Sequence, residues 1–357
     1  MTKDRNPVIT SPRVDGADDS RPFAHKPDAD ESPIGAGDQQ IRAVLFDRNL
    51  NGHPLTLQEI EALGDLSDDQ LLWIDVQGNP GDLPEAVLRY GIDARYMQPG
   101  DGGLITNGGE WRYLHARALI SSRNRRVTDE ALVVAIGANV VATAHHHAIG
   151  FLVGVLDTEA EQLRVGSLHA GSFAASLLDR MLTDFLDARD EFESAVDRIE
   201  LLVLRRPQSR HLAELQQLRR QASKLRRSLA LQRDMFEAVA RPDYDPGQLP
   251  DVARHWQLLS ARYSKTMTSV ETARDLVNGS FDVYTSRVAH GTNETMWLLT
   301  VVTVILGTLA VIAGILGMNF KAGIFAASNG FWWAVGGMTV FSAFATLVAL
   351  TLLARKR

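Results

Sequence analysis

The stretch MWLLTVVTVILGTLAVIAGIL (296–316) contains 21 residues without a charged side chain. A second uncharged run follows at residues 331–353. At about 1.5 Å rise per residue, each run forms a helix of roughly 30 Å, the thickness of a bilayer core. Trp297 and the pair Trp332-Trp333 lie near the ends of these runs, as interfacial tryptophans do. The sequence predicts an integral membrane protein with two spans, and a buried helical hairpin in a soluble protein is the alternative.

The charges around the two runs predict how they cross the membrane. Between them the one charged side chain is Lys321, whereas Arg287 precedes the first run and the chain ends Arg355-Lys356-Arg357. The positive-inside rule places both termini in the cytoplasm, and no apolar signal-peptide stretch follows Met1. We therefore expect a multi-pass protein of the bacterial inner membrane, with residues 1–290 in the cytosol.

Charge and cysteine content limit what the cytosolic part can bind. Residues 291–357 carry a net charge of +3 and the whole chain −6, which leaves −9 for residues 1–290. This acidity argues against a nucleic-acid partner and weakly favours cations. Because the chain has no cysteine, disulfides and thiolate metal ligands are excluded. No phosphate-binding loop, dinucleotide fingerprint or catalytic-triad spacing is present, so we expect no nucleotide, no tightly bound cofactor and no enzymatic activity.

The cytosolic part is predicted to begin with a leader and a mixed domain. Residues 1–40 are rich in Asp, Pro, Ser and Gly, which is typical of disorder. Strand patterns such as 71–78 and 131–145, with helical stretches between them, predict an α+β domain ending near residue 155. The predicted boundaries are a leader over 1–40, the α+β domain over 41–155, a helical hairpin over 156–250, a stalk helix continuing into the first span over 251–317, an external loop over 318–330, a second span over 331–353 and a basic cytosolic tail over 354–357.

Beyond residue 155 the pattern is helical. Residues 174–206 predict one helix, and a second carries an apolar seam at alternating steps of three and four. The seam consists of Leu212, Leu215, Leu218, Ala222, Leu225, Leu229, Gln232, Phe236 and Val239. These two helices are expected to form an antiparallel coiled-coil hairpin. No proline follows Pro250, so a single helix of about 100 Å is expected over 251–316. A helix of this length needs partners, and symmetric copies of the chain are the simplest source.

One face of the first span carries small or polar residues at steps of three and four. They are Asn293, Met296, Thr300, Thr303, Gly307, Ala310 and Gly314, called here the stripe. Close helix packing and the lining of a conduit are both open readings, and Asn293 in register favours the conduit. Because the stripe lacks Asp, Glu and His, it suits an ion that keeps much of its water. Met296 and Leu299 are candidates for a hydrophobic gate, with plain packing as the alternative.

The tripeptide Gly317-Met318-Asn319 ends the first span, and Gly317 lets the helix stop. Its place after a long proline-free helix and before a second span resembles the signature of the CorA-type divalent metal-ion transporters. WIDV (73–76) and the hairpin at 136–145 are also similar, and the resemblance covers roughly residues 41–357. It implies a funnel-shaped homopentamer in the lipid bilayer, in which stalk helices follow an α+β cytosolic domain. It further implies ion selection at the mouth by Gly317, Met318 and Asn319, an intracellular ring of Asn293, a pore lined by the stripe, and a gate at Met296 and Leu299.

The loop after the tripeptide bears on which metal is carried. The magnesium-selective branch of the family has acidic residues there and an aromatic residue before the tripeptide. This chain has Leu316 before it, and residues 320–330 contain Lys321 and no carboxylate. That resembles the zinc-transporting, ZntB-like branch, so Zn²⁺ is expected, with Co²⁺, Ni²⁺ and Cd²⁺ as further cargo. A Mg²⁺/Co²⁺ channel is the alternative, and a membrane-tethered sensor or scaffold is the second. Transport direction and proton coupling stay open.

Two groups of side chains are weaker candidates for a regulatory metal site. His145 and His147 end a strand, where neighbouring side chains point to opposite faces and solvated histidines are the alternative. Asp190, Glu193, Asp197 and Glu200 line one helical face. The partner helix carries Arg219, Arg220, Lys224, Arg226 and Arg227. Salt bridges across the hairpin, or a solvated face, are therefore the alternative to a cation-binding surface.

Overall fold

The computed structural model describes residues 40–48, 52–79, 83–98, 104–120, 127–157, 169–245, 249–317 and 329–356. The predicted leader and most of the external loop lie outside these ranges. So do Met318, Asn319 and Lys321, and the predictions made for them are not addressed by the described residues.

The described strands form one mixed sheet of seven, in the order β2-β1-β3-β7-β6-β5-β4. They are β1 (Gln40–Phe46), β2 (Gly52–Leu55), β3 (Leu71–Gln77), β4 (Ile105–Gly108), β5 (Trp111–Ile120), β6 (Thr128–Ile136) and β7 (Val140–His145). The neighbouring strands pair antiparallel except for β3 and β7, which are parallel. Those two central strands are buried at every residue, because both faces of the sheet are covered.

Helices cover the sheet on both faces. On one face, α1 (Leu57–Ala62) and α2 (Glu85–Leu88) contribute Ile60 and Val87 to a core that includes Met97. Thr56 and Glu59 form a capping box at the start of α1, each side chain bonding the other's backbone N–H. On the other face, α3 (Gly150–Asp157) and the long helices described next pack around Trp73, Phe173 and Trp256.

Three long helices form the stalk. They are α4 (Ala170–Arg205), α5 (Ser209–Ala230) and the N-terminal half of α7 (Pro250–Leu316). The expected hairpin of α4 and α5 is present, but its seam also packs on α7. Successive layers contain Val196, Ala222 and Val277, then Ile199, Val203 and Leu215. The stalk of one chain is thus a three-helix bundle rather than a two-helix coiled coil.

The second hairpin helix is not continuous to Val239, so that prediction is wrong. It ends at Ala230, and a separate helix α6 (Arg233–Val239) follows. The break allows the buried Gln232 to reach β5, where its amide accepts from the Arg117 N–H and donates to the Arg117 carbonyl, both at 3.1 Å. Strand β4 pairs with β5 only as far as Leu114. Beyond that point the side chain of Gln232 provides hydrogen-bond partners for the backbone N–H and carbonyl of Arg117 at this edge of β5.

The membrane part consists of the second half of α7 and a last helix, α8 (Gly330–Lys356). The 67-residue α7 begins at Pro250, whose missing N–H costs nothing at a helix start. Both helices are long and apolar enough to cross a membrane, and the apolar windows that qualify them are unburied within the chain. The mixed domain, the long helix and two C-terminal candidate spans confirm the fold class expected from the sequence.

Candidate ion pathway along the first span

The stripe lies on the side of α7 that faces away from α8. All seven stripe residues are exposed within the chain. The partly buried residues of the span are Trp297, Val301, Ile305, Leu309 and Ile312, and Leu309 lines an open groove with Val335 and Met338 of α8. At 3.6 residues per turn, the centre of the stripe and the centre of the partly buried residues lie about 200° apart around the helix axis. The single chain therefore leaves the stripe free to face other copies or a conduit.

The threonines of the stripe present oxygen acceptors. The Thr300 hydroxyl donates to the carbonyl of Met296, and the Thr303 hydroxyl donates to the carbonyl of Leu299, each at 2.8 Å. Each hydroxyl proton is thereby used, and the lone pairs of the oxygen remain available. Because water bound to a cation directs its hydrogens outward, such a surface suits a hydrated cation better than an anion.

The glycines of the stripe have no reason within this chain to be small. A Cβ added to Gly307 or to Gly314 would meet nothing within 4 Å. Their size therefore matters only against something outside the single chain, either another helix or the contents of a conduit. Both readings of the stripe require the helix to be one of several.

The N-terminal end of the stripe changes from polar to bulky. Asn293 is exposed on α7, in register with the stripe and just before the apolar run. Met296 and Leu299 follow with 63 % and 65 % of their surface exposed. Large apolar side chains held out from a helix are the kind that can close a conduit by excluding water.

The outer end of α7 is described only as far as Gly317. This glycine ends the helix as expected, but in a right-handed conformation (φ −79°, ψ −8°) and not in the left-handed one typical of a glycine cap. Its N–H donates to the Ala313 carbonyl at 2.9 Å. The final turn is thus closed by ordinary helical bonds.

The candidate histidine site is occupied by a different network. His145 is buried and contacts the Asp75 carboxylate through Nε2 at 3.2 Å and the His147 carbonyl through Nδ1 at 2.8 Å. His147 is exposed and instead contacts Glu130 at 3.0 Å. Since both ring nitrogens of His145 are engaged, the two histidines do not converge on one point.

Protonation of His145 is favoured by these contacts. Burial by itself lowers the pKa of this imidazole, but the hydrogen bond to Asp75 and the charges of Asp75 and Glu130 raise the pKa above its ordinary value. The same carboxylate accepts from Thr143, whose hydroxyl accepts from the Trp73 indole. Apolar periodicity does not reveal this buried hydrogen-bonded network, and its one signal in the sequence is Asp75 among the apolar residues of 71–76.

The carboxylates of α4 do not form a shared site either. Asp190 and Glu193 pair with Arg189 of the same helix, and Glu200 accepts from the Ser280 hydroxyl of α7. In the described ranges, no group of three or more His, Asp or Glu is arranged to hold a metal ion, so Asp197 has no metal-binding companions there.

The predicted salt bridges across the hairpin are also absent from the described part of the chain. The stalk is tied to α7 instead, by Arg226 with Glu271 at 3.1 Å and by Arg262 with Asp179 at 2.7 Å. The helix α7 is thus the common partner of both hairpin helices, which explains why their charges do not pair with each other.

A sequence profile of the CorA-like Mg²⁺ transporter protein family matches residues 68–353, about four fifths of the chain. The chain belongs to the CorA-like Mg²⁺ transporter family. The cobalt/magnesium transport protein CorA of Thermotoga maritima is 32% identical over 172 residues, and the divalent cation transporter CmaX of Pseudomonas aeruginosa 30% identical over 178. These alignments cover 47% and 48% of this chain, and 49% and 51% of the relatives. The chain therefore spans about half the length of the curated relatives it matches.

Solved structures of CorA-like proteins share the fold. The CorA magnesium transporter of Methanocaldococcus jannaschii aligns with a TM-score of 0.68 at 19% identity, over 86% of this chain and 96% of that one. Full-length CmaX aligns at 0.63 and 21% identity, over 87% and 98%. The cytoplasmic domain of ZntB from Vibrio parahaemolyticus aligns at 0.53 and 8% identity, over 71% and 99%. At such identities the likeness concerns the fold alone.

Proposed function

We propose that this chain assembles into a homopentamer that conducts divalent cations across a bacterial inner membrane, with both termini in the cytoplasm. The observation that carries the proposal is the position of the stripe. It faces away from α8, and within the chain nothing lies within 4 Å of a Cβ added to Gly307 or Gly314. Five copies of α7 would bring their stripes together around an axis, with α8 outside.

The proposed chemistry is passage of a largely hydrated cation. The hydroxyl oxygens of Thr300 and Thr303 act as acceptors for the hydration water, while Asn293 and Asn319 contribute amide oxygens at the two ends. The stripe has no carboxylate to bind a dehydrated divalent ion, so removal of the hydration shell would be too costly. A lining of oxygen acceptors also argues against a pore that conducts anions such as chloride.

Magnesium and cobalt are the first candidates for the cargo. The matching family is described as Mg²⁺ transporters, and one relative is named for cobalt and magnesium. Zinc, expected from the sequence, becomes the second candidate. The observation that favours it is the loop after the tripeptide, where Lys321 replaces carboxylates. No cofactor is needed in this proposal, and the Gly317-Met318-Asn319 tripeptide is assigned to selection at the pore mouth.

Flux into liposomes tests the proposal. Full-length protein is reconstituted with dyes for Mg²⁺, Co²⁺ or Zn²⁺ inside, and each flux is measured with and without a pH gradient. We expect Mg²⁺ and Co²⁺ flux above that of empty liposomes, and Asn319→Ala to reduce the discrimination among the three ions. Equal flux of all three in wild type and variant would show that the tripeptide does not select. No flux of any divalent cation would favour the tethered sensor or scaffold.

A further inference from the structure

The tip of the α4–α5 hairpin carries exposed arginines close to the membrane end of α7. Arg205 and Arg206 stand at the end of α4, and Arg210 lies in the first turn of α5. Arg287 of α7 donates from Nη2 to the Leu204 carbonyl oxygen at 3.0 Å. This contact places the tip beside residue 287 of α7, on the side of the stalk nearest the first span.

The arginines of this tip are not paired with carboxylates in the described part of the chain. Residues 201–213 and 283–293 contain four arginines and no Asp or Glu, and Glu200, Glu214, Asp282 and Glu294 stand directly outside these ranges. The hydrogen bonds that these arginines make go to neutral groups, from Arg287 to a carbonyl and from Arg210 to the His211 ring. Within the part of the chain that the structure describes, none of the four forms an ion pair with a carboxylate. The end of the hairpin at residues 201–213 thus presents three arginines and no carboxylate, although residues 1–290 are acidic overall.

The tip lies within electrostatic range of a membrane surface. Arg287 precedes Met296 by nine residues, which is about 13 Å along a helix. The headgroup layer of one leaflet takes up about 5–7 Å of that distance. The remaining gap of roughly 7 Å is shorter than the Debye length of about 8 Å at physiological salt.

Apolar side chains accompany the arginines. Leu201 and Leu204, on the last turns of α4, are 63 % and 47 % exposed. A surface that combines arginines with exposed leucines is typical of segments that lie at a lipid interface. An acidic protein could match both features, but the contact of the tip with Arg287 places it beside the first span, so the position favours lipid.

We infer that the hairpin tip docks on anionic phospholipid headgroups of the adjacent leaflet, through Arg205, Arg206 and Arg210. The inference rests on the two spans crossing a bilayer and does not depend on which cation is carried. Each arginine close to an anionic leaflet strengthens association by about fivefold. Because Arg287 joins the tip to α7, a docked tip also connects the lipid composition of the leaflet to the stalk.

The experiment uses the absence of native cysteine. Ser209→Cys introduces one thiol on the exposed start of α5, and a fluorophore attached there reports the position of the tip. Full-length protein is placed in nanodiscs of phosphatidylcholine, or of phosphatidylcholine with about a third phosphatidylglycerol. Both contain the same small fraction of phosphatidylcholine with a headgroup quencher. We expect at least about twofold more quenching with phosphatidylglycerol, and loss of this increment near 1 M salt, where the Debye length is about 3 Å.

Two triple variants decide between tip docking and a general charge effect. Arg205→Gln, Arg206→Gln and Arg210→Gln together remove three charges at the tip and should abolish the increment. The second variant removes three exposed charges farther from the tip on α5, near the layer of Ala222 and Val277. It combines Arg219→Gln, Arg220→Gln and Lys224→Gln and should leave the quenching increment unchanged. Equal quenching in the two lipid mixtures, or equal loss of the increment in both variants, would overturn the inference.

Discussion

Two residues of the central strands form a buried ion pair that a pattern of apolar residues does not reveal. Asp75 lies on β3 and His145 on β7, and these two strands are parallel neighbours. In their register Asp75 is opposite Thr143, and Gln77 is opposite His145. From the sequence, His145 is the first of three strand-end histidines and a candidate metal ligand. Which face it occupies depends on strand pairing across some 70 residues, and a local sequence pattern does not specify that pairing.

The pair makes stability depend on pH. Since contact with Asp75 raises the His145 pKa in the folded state, its contribution is fully present below the unfolded histidine value of about 6.5. The contribution is lost as the pH rises through the folded pKa. We expect the thermal midpoint of full-length protein in detergent to fall above about pH 6.5, and this fall to be absent in His145→Gln.

His115 provides a control of opposite sign. Burial lowers the pKa of this histidine, so the folded state binds its proton less readily than the unfolded state. Its contribution to stability therefore rises with pH between the folded and unfolded values. His115→Gln should leave the fall assigned to His145 in place. An unchanged pH profile in His145→Gln would contradict the assignment.

At the scale of elements, periodicity located the long helices well. The 67-residue α7 and the two hairpin helices follow from apolar steps of three and four and from the absence of proline after Pro250. The break at Gln232 was missed because its cause is a tertiary contact. This residue occupies a regular seam position, and only its bonds to Arg117 of β5 account for the interruption.

The contact of Gln232 gives a prediction for the stability of the cytosolic domain. Gln232→Leu leaves the N–H and carbonyl of Arg117 without their side-chain partner at a partly buried strand edge. At about 1–3 kcal/mol for each of the two groups that loses this partner, the loss in free energy of unfolding should be about 2–6 kcal/mol. Denaturant unfolding followed by circular dichroism measures it. Gln217→Leu, at an exposed position of α5, should change it by less than about 0.5 kcal/mol; equal effects would remove the proposed role.

At the scale of the whole molecule, the sequence predicted the membrane class and the fold, whereas the proposed ion pathway requires several copies of the chain. The spacing of the stripe residues is evident from the sequence. The structure adds that the stripe faces away from α8, and that a Cβ added to Gly307 or Gly314 would meet nothing within 4 Å. Met318 and Asn319, which are proposed to select the ion at the mouth, lie outside the described residues. The cargo is not determined by the fold, because one fold can carry different sites.

The assembly is predicted to contain five copies. The C-terminal half of α7 is exposed within the single chain on every side except the one toward α8. It therefore needs further helices to pack against. Mass measurement of full-length protein in detergent, together with chemical cross-linking, should give five times the 39.3 kDa chain and a ladder that ends at five. A ladder that ends at two would exclude a pore enclosed by five stripes.

Thiol accessibility tests the central claim, that the stripe lines a cation pathway. Because the chain has no cysteine, Thr303→Cys adds one thiol to the stripe, and Thr308→Cys adds one about 140° around the same helix. Mg²⁺ flux into liposomes is measured before and after a small cationic, water-soluble thiol reagent. We predict that the reagent lowers flux through Thr303→Cys by more than about tenfold, because an added charge blocks a cation path, and leaves Thr308→Cys within about twofold. Flux that is unchanged in both variants, or reduced equally in both, would contradict the account.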